Sequence, residues 1–117
     1  MSKKNNLTSA KQLLDEVVNS KLYPQFLVQI QKDINRAGID YSIKNTEPLK
    51  VFHEIRDLLS EKLQNTFNDY TNLLYAVDVS EAKIRNTNLE DSNAIAEYAA
   101  YLILKREWQK VCYRNML

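Results

Sequence analysis

Apolar residues recur every three or four positions through most of this chain. Leu7, Ala10, Leu13, Leu14, Val17 and Val18 make one such stripe, the pattern of a helix with one buried side. It predicts a first helix over 8–20. Thr8 or Ser9 is placed to cap it, since a short hydroxyl can accept from the free N–H groups of a first turn. Residues 1–6 read as a flexible polar tail. Pro24 suits the first position of a second helix, where its missing N–H costs nothing. Phe26, Leu27, Ile30, Ile34 and Ala37 form that helix's buried side. Gly38 falls just past the stripe and predicts a left-handed C-cap, with Ile39 closing it by apolar contact.

Residues 39–45 alternate apolar and polar over a span too short for a sheet, so they read as an extended loop with Ile39, Tyr41 and Ile43 inward. Thr46-Glu47-Pro48 has the composition of a helix start. From there Leu49, Phe52, Ile55, Leu59, Leu63, Phe67, Tyr70, Leu74 and Val77 keep one face for almost thirty residues, with Asn65-Thr66 the weakest stretch. Ser80 caps a short helix over 81–85, Asn86-Thr87-Asn88 forms a loop, and Asn88 or Asp91 caps a last helix that runs nearly to the end. The sum is an all-α fold: a single domain over 1–117, a bundle of four or five helices with one long central helix.

The last helix differs from the others. Ile95, Tyr98, Ala99, Tyr101, Leu102, Ile103, Leu104, Trp108 and Val111 spread round a wide arc. Such an arc belongs to the central helix of a bundle or to a helix shared with a partner chain. Exposed apolar surface is costly, and a two-fold pair is the common way to cover it. The sequence therefore predicts a homodimer, with Tyr98, Tyr101, Leu104, Trp108 and Val111 as its interface. Apolar positions do not hold a strict heptad long enough for an isolated coiled coil.

Composition narrows the picture. The 117 residues include one Gly and two Pro, too few turn formers for an all-β sandwich or barrel. Apolar residues at 44% and a net charge of +1 argue against disorder. The charge is uneven: six basic and three acidic groups over 1–38, six and nine over 39–90, four and three over 91–117. That distribution suits helices packed side by side, within one chain or between two. The lone Cys112 allows no internal disulfide. No apolar stretch follows the polar start, and the longest apolar run, 98–104, is far short of the roughly 20 residues that span a bilayer. These features place the protein in the cytoplasm.

Candidate chemistry is sparse. His53, Asp57 and Glu61 share a helical face but lack the further His or Cys a zinc site takes, and Lys50 stands where a di-iron bundle needs Glu. Glu54-x-x-Asp57 resembles half of the acidic signature of the all-helical nucleotide pyrophosphatases. The second acidic motif is missing: Asp78 and Glu81 sit at a corner, and the last helix offers only Glu97 and Glu107. Cys112 has only His53 as a conceivable base and reads as a structural thiol. One glycine cannot build a phosphate loop. No catalytic residue, metal or cofactor is therefore assigned.

Lys105, Arg106, Lys110 and Arg114, interleaved with Tyr101, Trp108 and Tyr113, give the alternative reading of a small nucleic-acid-binding or regulatory protein. Cations also belong at a helix C-terminus for the dipole. Residues 72–81, followed by Leu102-Ile103-Leu104-Lys105-Arg106-Glu107, resemble short uncharacterised all-helical bacterial proteins. That resemblance spans the last third of the chain and implies no functional residue. The leading expectation is a non-enzymatic interaction or accessory protein that self-associates.

Overall fold

A computed structural model describes residues 5–115. They form six helices and, among the described residues, no strand: α1 (Asn6–Asn19), α2 (Tyr23–Arg36), α3 (Pro48–Asn65), α4 (Phe67–Val77), α5 (Glu81–Arg85) and α6 (Ser92–Arg114). α6 packs against all five others, most extensively against α3. The core runs around it through Phe26, Phe52, Tyr70, Ile103 and Leu104, all essentially sealed from water. Among the described residues no helix is long and apolar enough to cross a membrane.

The helix ends follow local chemistry. α1 starts two residues earlier than the apolar stripe suggests, because Asn5 is the cap: its side chain accepts from the Thr8 N–H at 3.1 Å. Thr8 and Ser9 lie inside the first turn. The expected tail thus shortens, with Asn5 and Asn6 structured and residues 1–4 outside the described part. α2 ends as predicted at Gly38, whose φ is +81°. The Ile39 N–H reaches the Ile34 carbonyl and the Gly38 N–H reaches that of Asn35, the paired bonds of a Schellman cap. Ile39, Tyr41 and Ile43 turn inward from the extended 39–45 segment, alternating with exposed neighbours.

The long third helix is two helices. An unbroken helix from Leu49 to Val77 would measure about 43 Å, longer than the molecule's greatest dimension of 39 Å. The break falls at Thr66, with φ −144° and ψ 74°, beside Asn65. Both are poor helix formers. The change of direction leaves Phe67, expected in the core, 52% exposed, and buries Leu73 instead. This split raises the helix count from the expected four or five to six. α4 closes on Asp78 in the left-handed region at φ 74°, and the Val79 N–H returns to the Leu74 carbonyl at 2.8 Å. Ser80 caps α5 through the Lys83 N–H, and Asp91, not Asn88, caps α6 through the Asn93 N–H.

Candidate functional site

Three places concentrate polar groups. The first is an open groove of about 660 Å³ between α3 and the 39–45 segment, lined among others by Tyr41, Lys44, His53, Asp57 and Glu61. Its organiser is Glu54. That carboxylate accepts from the Tyr41 hydroxyl, the Lys44 N–H at 2.8 Å, the Asn45 N–H at 3.0 Å and the Asn45 side-chain amide at 2.8 Å. Burial works to raise its pKa, but these donors outweigh burial and hold it below the usual carboxylate range. Glu54 therefore fastens the loop to α3, and both of its oxygens are used. It is not free to serve as half of an acidic metal motif.

Other groove residues are paired as well. His53 Nδ1 lies 3.0 Å from the Arg56 guanidinium, which also binds Asp57 at 2.9 Å. Glu61 pairs with Lys62 at 3.2 Å and accepts from Asn65. Among the described residues no three or more of His, Cys, Asp and Glu gather as metal ligands.

The second place lies inside the bundle, where α2, α4 and α6 meet. Asp33 and Glu107 are both fully buried. Asp33 accepts from Lys110 at 2.8 Å, Arg36 at 2.9 Å and Gln29 at 3.2 Å. Lys110 also donates to the Ala76 carbonyl of α4 at 3.2 Å. Burial raises the pKa of Asp33, but its surroundings, with Lys110 and Gln29 donating to it, more than offset burial, so Asp33 stays ionised. Glu107 is the reverse case. Neither of its oxygens has a hydrogen-bond partner among the described residues, and Lys110 stands 3.9 Å away. Burial first, then the adjacent Asp33, push its pKa up to about 9. Glu107 keeps its proton beside the charged Asp33. Two carboxyl groups thus share one charge, which Lys110 balances.

The third place is α6 itself. The wide apolar arc is covered from within the chain. Leu104 is 0% exposed, Val111 2% and Trp108 6%, so these three expected interface residues are core. Trp108 stacks edge-on to Phe26 at 6.5 Å and donates from its indole N–H to Glu16 at 2.7 Å. Tyr98 and Tyr101 differ: half-buried, they lie on the outward side of α6. Exposed Lys105 follows on the same side, with Glu97 at its edge.

The four cations of the basic strip part company. Arg106, Lys110 and Arg114 run in line at four-residue spacing, while Lys105 points about 100° away from Arg106. Arg106 is spent on Asp78 at 3.0 Å and Lys110 on Asp33. The thiol of Cys112 is half-buried, and burial together with the charge of Glu16 pushes its pKa up. That is the opposite of an activated nucleophile.

The chain matches no protein-family model, no curated protein and no solved structure. Sequence reading missed Asp33, Glu107, Glu54 and Glu16 as structural polar groups. For Asp33 the signal was present: it stands three residues after Ile30 and seven after Phe26, in register with the core stripe. Glu107 follows Ile103 by four and precedes Val111 by four, and carries the same signal. Glu16 depends on a partner 92 residues away and Glu54 on donors of the preceding loop, and neither gave a signal.

Proposed function

We propose that the protein is a non-enzymatic helical interaction protein that self-associates as a homodimer through the outward side of α6. One observation carries this reading. The ionisable groups sunk in the fold serve the fold: Glu54 holds a loop, and Asp33, Glu107 and Lys110 join three helices. The outward side of α6 instead offers Tyr98 and Tyr101 with one edge wet, flanked by charges without partners. Tyrosines of this kind favour protein interfaces, where the ring buries area and the hydroxyl stays hydrated. A single cysteine in the chain suits a reducing compartment.

The nucleic-acid alternative draws less support. Phosphate binding derives its strength from cations that release counterions, and Arg106 and Lys110 already neutralise carboxylates of this chain. Small-angle scattering across a concentration series tests the reading. Forward scattering per unit mass that doubles with concentration is the expected result. A value fixed at one 13.7 kDa chain throughout would overturn it.

A further inference from the structure

The outward side of α6 carries a symmetry of its own. Tyr101 stands midway between Glu97 and Lys105, four residues from each, so the acid and the cation lie about 6 Å to either side of it along the helix axis. Neither charge has a hydrogen-bond or ion-pair partner among the described residues, although most of the neighbouring charges do. Glu97 also borders a hollow with Asp57 and Asp91, whose only cation, Arg56, is bound to Asp57. That end of α6 is short of positive charge. Lys105, toward the other end, is exposed and short of negative charge.

We infer that the occupant of this face is a second copy of the chain, with the two α6 helices antiparallel and Tyr101 on the two-fold axis. The inference rests on the self-association reading and fixes its geometry. About a two-fold axis through Tyr101, each residue a given number before Tyr101 faces the residue the same number after it on the partner. Glu97 then meets the partner's Lys105, and Lys105 meets the partner's Glu97. Both free charges are satisfied twice by one arrangement, and the two Tyr101 rings cover each other. A parallel pairing would set acid beside acid and cation beside cation, which repels. Tyr98 packs beside the axis. A seam of one helix per chain is small, so the pair forms reversibly, with a dissociation constant in roughly the micromolar range.

Charge reversal tests the register. Lys105 is exposed and Glu97 half-buried, so circular dichroism checks first that each variant folds. Sedimentation equilibrium of wild type, Glu97→Lys, Lys105→Glu and the double variant is the measurement. Each single reversal creates two like-charge contacts and weakens association roughly tenfold or more. The double reversal exchanges the charges and restores it to near the wild-type value. A wild type that stays monomeric removes both the seam and the self-association reading. A dimeric wild type whose variants all match it keeps self-association and overturns this seam. A double variant as weak as the singles overturns the antiparallel register.

Discussion

The indole N–H of Trp108 donates to a carboxylate oxygen of Glu16 across 2.7 Å, joining residues 92 positions apart. The bond ties the second half of α1 to the last turns of α6. It weighs less than the burial around it. Trp108 is 6% exposed and packs edge-on to Phe26, and truncating such a residue costs about 3–5 kcal/mol. Glu16→Ala leaves the part-buried indole N–H without its acceptor, at a cost of about 1–3 kcal/mol. Urea unfolding should therefore rank Trp108→Ala below Glu16→Ala. Equal costs would mean that the bond, not the packing, anchors α6.

Glu107 makes stability depend on pH in the direction opposite to an ordinary carboxylate. Its pKa is near 4.5 when unfolded and about 9 when folded. Between those values the native state holds a proton that the unfolded chain has released. Stability from this group is whole below about 4.5 and is lost as pH rises toward 9, by at most about 1.4 kcal/mol per pH unit. Glu107→Gln keeps a neutral donor beside Asp33 and removes the titration. Chemical denaturation at pH 6 and pH 9 should show wild type losing stability relative to this variant. A constant difference between the two would show Glu107 ionised in the fold.

Glu54 acts in the other direction. Its folded pKa is lowered, so its contribution is present above its ordinary value of 4.5 and disappears as pH falls through the folded value. Glu54→Ala leaves the Lys44 and Asn45 N–H groups without their acceptor and should cost at least about 2 kcal/mol at neutral pH. Hydrogen exchange should register this at residues 41–45 first. Unchanged protection there would mean that Ile39 and Ile43 hold the loop without the carboxylate.

Gly38 is a backbone test. A Cβ at this position would meet nothing within 4 Å, so only the positive φ opposes a larger residue. Gly38→Ala should lower stability by about 1–2 kcal/mol, and Gly38→Asn by less, since Asn tolerates the left-handed region. Thermal unfolding of the pair checks the order.

Much of this fold was legible because helix ends are local events. The Gly38 cap and the Ser80 cap each rest on residues within a few positions of one another, and the 39–45 segment shows itself by its own alternation. The break at Thr66 could be located as weak but not as broken, because what accompanies it is the packing of α4 against α2, α3 and α6, which no local residue reports. The same limit governed α6. Its wide arc pointed equally to a core helix and to a shared one, and the difference lies in whether α1, α2, α3 and α4 close round it. They do for Leu104, Trp108 and Val111, and leave Tyr98 and Tyr101 at the edge. Polar residues in core register, such as Asp33 and Glu107, could be seen as anomalies. Their pairing across α2 and α6 could not, since Lys110 is 77 residues from Asp33.

Amide chemical shifts followed by NMR through a dilution series test association through α6 most directly. The account predicts concentration-dependent shifts at Glu97, Tyr98, Tyr101 and Lys105, on the outward side of α6, with much smaller changes at the buried Leu104 and Val111. Shifts that do not move with concentration, or that move only at the groove lined by His53 and Glu54, would contradict it.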